Sequence, residues 1–548
     1  MALISCLLHL KPHSVEFILS MEVPPIYAIA LGGIFLALFL IQTRYFVAHW
    51  TESISVLLSG YLVLPDLIRR HRILGPWSRA GVLLHLSYIA VNIALVFLHT
   101  ESLVDSGRRA SELALINNIF PLSAAHLSFL AGLLGISWRS CRKIHRATGW
   151  MTVALLSFHI IAELQGQTLK FPLSETQNLL TVVSASTLGI LALFSIPYFR
   201  RWSYEMFLRS HQIFAGLFVY GTLQHLPSHN GSARLYVYVT LGILGLTTLL
   251  ELAIILYRNG MFSGRGAPRA LISFSSRNIE GKIFPNRTAA NIQIILPRPV
   301  QVEAGQYINL WMPSVSLWSW TQTHPFTVTS WSRGRQGTLR LLVQPRKGFS
   351  ADLVRHGALP TDRLISFLTL FTGPHGITED VDPYETTLII ATGFGIVTSI
   401  PYLKKMIHGY NTCTSHTRRL HLVWQVDSIE MVNAAAEQLD DILQDDIIDK
   451  GYILIISIYM EYGLANSKTA IGKHESVCYY QGVPDYRKII STEASGSQIE
   501  RLPNTPDEPG RTLVMVSAAD VLRDRLRDLA RGYLHQGVKL LELEYQPQ

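Results

Sequence analysis

Seven stretches in the first half of the chain are long, apolar and free or nearly free of charge: Val23–Thr43, Ala80–His99, Leu113–Ser137, His145–Ala162, Thr176–Phe199, Ser210–Leu226 and Leu235–Tyr257. Crossing the hydrocarbon core as a helix takes roughly 20 such residues. In lipid the backbone has no water to bond with, so a crossing stretch must close its hydrogen bonds within itself. The first half is therefore expected to be a bundle of membrane helices. Ser53–Pro65 is too short to span and reads as an interfacial or re-entrant segment. Met1–Ser20 is apolar but lacks a basic n-region and a small-residue cleavage site, so the first span reads as an uncleaved anchor.

Basic residues set the expected orientation. Arg69, Arg70, Arg72 and Arg79 follow the first span, and Arg139, Arg142, Lys143 and Arg146 follow the third. Arg200 and Arg201 follow the fifth, and Arg258 the seventh. Such turns stay on the cytosolic side, which puts the N-terminus outside and the C-terminal half in the cytosol. Arg108 and Arg109 run against the rule. The net charge of +8 is scattered over these turns instead of forming one basic face, which argues against a nucleic-acid partner. Cys6, Cys141, Cys413 and Cys478 are too far apart for a zinc motif, a redox pair or a disulfide framework.

Two spans carry paired histidines. His145 and His159 lie 14 residues apart, as do His211 and His225. That spacing is about four helical turns and ~21 Å of rise, so each pair occupies one face at two depths. The two spans run in the same direction. His145 can face His211 near the cytosolic side and His159 can face His225 near the outer side, making two stacked bis-histidine haem sites. A single membrane histidine is more simply a polar filler, the reading given to His85 and His126. Two equally spaced pairs on parallel helices form a ligand pattern. Arg142, Lys143, Arg146 and Arg209 at the inner level, and Arg108 and Arg109 at the outer, are candidate partners for haem propionates besides their role in topology.

After Tyr257 the pattern changes. Gly260–Pro268 is a linker, and alternating runs such as Ile292–Leu296 and Thr338–Val343 read as antiparallel strands. HPFTVTS (His324–Ser330) offers an imidazole or aromatic face and a hydroxyl to a flavin, making His324, Pro325, Phe326, Thr327 and Val328 candidates. RKGFS (Arg346–Ser350) starts a helix expected at Ser350–Arg355, and Gly348, Phe349 and Ser350 at that helix N-terminus suit a pyrophosphate. From Thr387 a strand, a glycine turn, a helix and a second strand form a βαβ unit. Its turn, Gly393, Phe394, Gly395 and Ile396, lets backbone amides approach a phosphate. GPHG (Gly373–Gly376) reads as a companion turn on the nicotinamide side, and Glu461–Gly510 as a surface insertion.

These motifs resemble the ferric reductase and NADPH oxidase superfamily, most of all the fungal ferric/cupric metalloreductases. The resemblance runs from about Ala80 to Gln548 and is carried by both histidine pairs, HPFTV, GPHG, Ala391–Met406, Leu422–Asp427 and Leu541–Pro547. It implies a multi-domain membrane protein. An N-terminal segment (1–22) would precede a seven-helix transmembrane haem-binding bundle (23–258). A cytosolic ferredoxin-reductase-like module would follow, an antiparallel FAD β-barrel (265–378) and an α/β NADPH-binding domain (384–548). By the same resemblance the four histidines ligate two b-type haems, His324–Thr327 bind FAD, and Gly393, Gly395 and Ile396 lie at the NADPH site. Two positions depart from the family: Ser517 stands near where a cysteine is usual, and Tyr545 replaces a terminal phenylalanine while keeping an aromatic face for the flavin or nicotinamide.

The implied activity is electron transfer from NADPH through FAD and two haems to a ferric or cupric chelate or siderophore outside a lipid membrane, expected to be the plasma membrane. NADPH over NADH rests on the resemblance, with Arg418 and Arg419 near a plausible place for a 2′-phosphate contact. A superoxide-forming oxidase and an electron donor to a biosynthetic pathway share the core. Short cysteine-free outer loops, Glu163–Glu175 and Pro227–Arg234, favour a bulky chelate. A transporter with a nucleotide-sensing domain would need no haem, which the matched histidines argue against.

Overall fold

The structure, a computed structural model, describes residues 27–34, 54–71, 75–166, 172–200, 204–226, 231–261, 264–274, 276–279, 282–285, 288–316, 319–320, 322–346, 348–357, 365–446, 453–461, 476–499 and 510–543. They fall into two compact units. One runs to Leu250, without the described residues of Glu52–Arg79; those join Glu251–Gln548 in the other.

The helices of the first half are α1 (Arg79–Phe97), α2 (Leu103–Ser123), α3 (Leu127–Leu134), α4 (Trp138–Gly166), α5 (Thr176–Phe194), α6 (Tyr204–His225) and α7 (Gly231–Arg258). Among the described residues, five helical segments are long and apolar enough to cross a membrane: Arg79–Phe97, Leu103–Leu134, Trp138–Gly166, Thr176–Phe194 and Ala233–Arg258. They correspond to five of the seven expected spans. Val23–Thr43 lies mostly outside the described residues, of which 27–34 are helical. Ser210–Leu226 falls within α6, which has 22 residues. Its length suffices, but Glu205, Arg209, Gln212, Gln224 and two histidines lower its hydropathy.

The third expected span also starts earlier than its apolar run. Ser102 caps α2 by accepting from the Asp105 N–H at 3.1 Å, and Asp105 suits the positive end of the helix. Pro121 and the tight turn Ala124–His126 separate α2 from α3, and Gly135 closes α3 at φ +61°.

Small and polar residues let these helices approach. A Cβ on Gly107 of α2 would meet the Ala162 Cβ of α4 at 2.6 Å, and one on Gly221 of α6 would meet the Ser184 Cβ of α5 at 2.7 Å. The Tyr27 hydroxyl lies 3.1 and 2.8 Å from the amide oxygens of Asn92 and Asn117, and Asn117 Nδ2 donates to Asn92 at 2.9 Å. These buried amides tie α1 to α2 where lipid offers no partner.

The second unit begins its barrel with β1 (Arg269–Ser273), β2 (Ala290–Val300), β3 (Tyr307–Trp311), β4 (His324–Thr327) and β5 (Gln336–Val343). A helix, α8 (Phe349–Gly357), precedes β6 (Ile365–Leu368) and β7 (Leu370–His375). Two antiparallel sheets result, in the orders β6-β1-β2-β5 and β7-β3-β4. Alternate residues point inward, so Ile292, Ile294, Ile308, Leu310, Leu339 and Leu341 share one core.

The α/β domain contains β8 (Thr386–Thr392), α9 (Ile396–Asn411), β9 (Arg419–Val426), α10 (Ile429–Asp445), β10 (Leu454–Met460), β11 (Val477–Gln481), α11 (Tyr486–Ala494), β12 (Thr512–Ser517), α12 (Asp520–Arg531) and β13 (Val538–Glu542). All six strands are parallel, in the order β11-β10-β9-β8-β12-β13. Helices on both faces require strands apolar on both faces, and Leu388, Ile389, Ile390 and Ala391 are all fully buried. The chain switches direction across the sheet between β8 and β12, and ligands of such sheets bind outside the carboxyl ends at that switch.

Three of these readings gain detail here. The stretch Glu461–Gly510 is not all surface insertion: it supplies edge strand β11 and helix α11, which buries Tyr486, Ile490, Glu493 and Ala494. GPHG is not on the nucleotide sheet, because Gly373–His375 ends barrel strand β7, with His375 opposite Tyr307 of β3. The segment expected to be interfacial or re-entrant and the residues that follow it also bond the α/β domain. Asp66–Ile68 pairs with Trp77–Ser78, and Arg531 Nε donates to the Gly60 carbonyl at 2.9 Å. Arg70 donates to Asp524 and Asp520 at 2.7 Å each.

Candidate functional site

Of the four histidines, His145 and His211 meet as a pair, and His159 and His225 lie further along the same two helices. His145 of α4 and His211 of α6 have ring centroids 6.2 Å apart, with the planes inclined by 53°. An iron held ~2 Å from a nitrogen of each ring, between the rings, would separate the centroids by ~6 Å. The Nδ1 atoms of both rings are buried without a hydrogen-bond partner. Among the described residues no three His, Cys, Asp or Glu side chains cluster as a metal site. Two imidazoles alone are a poor cage, but a porphyrin brings four nitrogens of its own, so this pair suits haem.

The second pair is held differently. His159 Nδ1 lies 3.1 Å from the Gly107 carbonyl. A carbonyl only accepts, so Nδ1 carries the proton and Nε2 keeps its lone pair for a metal. His225 Nδ1 lies 2.9 Å from Thr181 Oγ1, while that hydroxyl donates to the Gln177 carbonyl at 2.9 Å. Thr181 therefore accepts from His225, which leaves its Nε2 available too. Gly107 and Thr181 were not foreseen; a small residue on a neighbouring span is their only signal. His85 bonds its own helix at the Gly81 carbonyl, 2.8 Å away, as a filler does.

The arginines offered for propionates have other partners. Arg108 lies 3.7 Å from Glu163, and Arg109 donates to the Leu98 carbonyl. Arg142 stacks over Trp138 at 4.5 Å, and Arg209 donates to Gln212 at 3.1 Å.

In the barrel, β4 is an edge strand, which is where Pro325, lacking an N–H, can sit. His324 stacks on Phe349 at 4.6 Å and 11°, so the two motifs proposed for flavin come together. Phe326, Thr327 and Val328 are buried, while His324 and Pro325 are half-buried and present the outer face. Gly348 takes φ +79° to start α8, and Ser350 Oγ accepts from the Arg346 N–H at 2.8 Å. The resulting first turn offers amides to a phosphate. Nearby on β7, burial lowers the His375 imidazole to about 4, so it is neutral at physiological pH, with Nε2 2.8 Å from Thr372 Oγ1.

At the switch point, Gly393 takes φ +52° and its carbonyl accepts from Trp424 Nε1 at 2.8 Å. A Cβ on Gly395 would collide with the Ser517 carbonyl and lie 2.8 Å from its hydroxyl, so only glycine fits. Ser517 Oγ is buried without a partner at the carboxyl end of β12, an orphan hydroxyl facing the glycine turn. Phe394 and Ile396 side chains belong to the core, so what they can give a nucleotide is backbone. Arg418 and Arg419 cannot serve the 2′-phosphate as expected. They stand at the amino end of β9, where Arg419 donates to Glu493 at 2.6 and 2.8 Å and Arg418 lies 3.8 Å from Glu385. Tyr545 lies outside the described residues.

Residues 110–222 match the family model of the ferric reductase like transmembrane component, and residues 282–379 match that of an FAD-binding domain. The chain is thus a multi-pass membrane protein in which a segment similar to the ferric reductase transmembrane component is followed by a segment similar to an FAD-binding domain. Within that class it is similar to the ferric and ferric/cupric reductases of fungi. Ferric reductase transmembrane component 4 of Saccharomyces cerevisiae is 25% identical over 253 residues, 46% of this chain and 32% of that one. Ferric/cupric reductase transmembrane component 2 of the same yeast is 23% identical over 323 residues, 58% of this chain and 42% of that one. Component 5 is 23% identical over 537 residues, 90% of this chain and 71% of that one. The matched region spans only a third to two fifths of the first two relatives.

Proposed function

We propose that this chain is a transmembrane metalloreductase. It takes reducing equivalents from a reduced nicotinamide dinucleotide in the cytosol, NADPH by the resemblance, and delivers electrons to a ferric or cupric chelate outside the plasma membrane. His145 with His211 and His159 with His225 would hold two b-type haems. His324, Pro325 and Thr327 with Gly348, Phe349 and Ser350 would hold FAD, and Gly393–Ile396 would hold the nicotinamide dinucleotide. Bound there, FAD supplies the change from a hydride to single electrons, and the haems supply one-electron carriage. The chain's own residues hold those groups and keep one imidazole nitrogen of each outer ligand free.

The observation that supports this reading is the placing of four histidines along α4 and α6, His145 and His211 with rings 6.2 Å apart and His159 and His225 each with Nδ1 bonded to a neighbouring helix. The test is a reduced-minus-oxidised absorbance spectrum of membranes containing the wild type, His159→Ala or His211→Ala. A b-type haem signal that falls in each variant is expected. Well-expressed wild type without that signal sinks the proposal and favours a transporter. Parallel assays of chelate reduction and superoxide release separate the metalloreductase from an oxidase.

A further inference from the structure

The short helix Ile54–Val63 turns its apolar stripe outward. Ile54, Leu57, Leu58 and Tyr61 follow the i, i+3, i+4, i+7 spacing of one helical face, yet they are 47% to 60% exposed. Leu67 and Ile68, in the strand that follows, are exposed as well. Another side of the segment meets the α/β domain. A Cβ on Gly60 would touch Leu534 at 3.5 Å, and the Gly60 carbonyl accepts from Arg531 Nε. Asp66 bonds Arg527, and Arg70 bonds Asp520 and Asp524. A helix lying on a water-facing domain buries its apolar stripe against that domain. This one holds the domain through backbone and polar groups and leaves the stripe to another partner.

Length and chain path identify that partner. A helix of this length rises ~15 Å, half of the hydrocarbon core, so it does not span. Nor can it dip into the core as a re-entrant loop. It would draw α12 towards hydrocarbon, with the charges of Asp520, Arg523, Asp524, Arg527 and Arg531. Yet the segment stands beside a point of membrane entry. Asp66 pairs with Ser78, and antiparallel partners lie ~5 Å apart. The next residue, Arg79, opens α1, which is long and apolar enough to cross. Tyr61 and Trp77, with Arg69 and Arg79, are the residue types that gather where a bilayer meets water.

We propose that residues 54–68 form an interfacial foot that fastens the α/β domain to the bilayer surface. The segment lies flat in the headgroup layer, with Ile54, Leu57, Leu58, Tyr61, Leu67 and Ile68 against the upper acyl chains. Its other side grips α12 through Gly60, Asp66 and Arg70. The coenzyme end of the domain is thereby held at the membrane, because Asp520, which Arg70 bonds, opens α12 directly after the Ser517 end of β12. The foot needs neither haem nor coenzyme, so it stands or falls apart from the electron path.

The test uses the full-length protein in phospholipid nanodiscs, with the photo-crosslinker p-benzoylphenylalanine in place of Leu58, Tyr61 or Leu67, one at a time. Val483, also exposed but beyond the opposite edge of the same sheet, is the control position. Phospholipid adducts at the three foot positions and none at Val483 are expected by mass spectrometry. The unmodified protein gives the same answer without any substitution: a diazirine partitioned into the lipid should label residues 54–68 and leave residue 483 clear. Adducts with α1–α7 would overturn the proposal in favour of packing on the membrane helices, and adducts between two copies in favour of an oligomer contact. An unlabelled foot, or equal lipid labelling at Val483, would overturn it too. Arg70→Ala should keep the lipid adducts and speed amide exchange in residues 66–71. Unchanged exchange there would overturn the link to α12, and loss of the adducts would overturn the lipid face.

Discussion

Two single residues hold a neighbouring side chain in place, Gly107 through its carbonyl and Glu493 through its carboxylate. Gly107 lets α2 come close enough for its carbonyl to hold the His159 ring, and a side chain there has no room. Gly107→Val is therefore expected to displace α2 and free the ring. The b-haem absorbance per protein should fall by about half, with FAD content unchanged. A full haem signal in that variant would show that the carbonyl contact is dispensable. Glu493 makes the second case. Burial raises its pKa, yet hydrogen bonds from Arg419 and His421 outweigh that and hold it at about 2. A carboxylate depressed in the folded state stabilises fully above its unfolded value near 4.5 and loses that contribution as pH falls towards 2. Glu493→Gln should cost roughly 3 kcal/mol at neutral pH and progressively less below pH ~4.5. Amide exchange of β9 measures it, and an effect independent of pH would refute the ionised state.

At the scale of elements, what was legible had a period or a length. Apolar runs of spanning length announced α1, α4, α5 and α7, and the alternation in β2 and β5 announced the barrel. Helix α11 was hidden because its buried Tyr486, Ile490 and Ala494 are set among Arg487, Lys488 and Glu493, a stripe too diluted to stand out. The strip at 54–78 was legible only as a short apolar segment with a basic turn. Its partners lie more than 400 residues along the chain, and no local pattern reports such a distance. There Arg527 donates to Asp66 at 3.2 Å and to Glu542 at 2.9 Å, linking the strip to α12 and β13. Arg527→Ala should loosen it by about 1 kcal/mol, since the ions are partly exposed. Raising salt should weaken the wild-type contact in the same direction. Faster exchange confined to residues 60–78 is the expected outcome; exchange unchanged by both mutation and salt would mean the ion pairs contribute nothing.

For the whole molecule, chain direction predicts the order in which the two histidine ranks are used. His145 and His211 lie near the starts of α4 and α6, whereas His159 and His225 lie near their ends. On the proposed orientation, the basic residues at the start of α4 would lie at the cytosolic level. Consecutive helices alternate in direction, so α7 ends on the level where α6 begins, and from Arg258 the chain continues into the barrel. Electrons arriving from the flavin side should thus reach the His145/His211 rank first. With a nicotinamide donor under anaerobic conditions, His159→Ala should still show one reduced b-type haem but no reduction of an external, membrane-impermeant chelate. His211→Ala should show no haem reduction by the donor, although dithionite reduces the remaining haem and the donor still bleaches the flavin. The reverse pattern, with donor-reducible haem surviving only in His211→Ala, would invert the orientation of the bundle. Loss of flavin bleaching in either variant would mean that the histidines support the fold of the FAD domain, and that the two halves cannot be read as separate stages of one path.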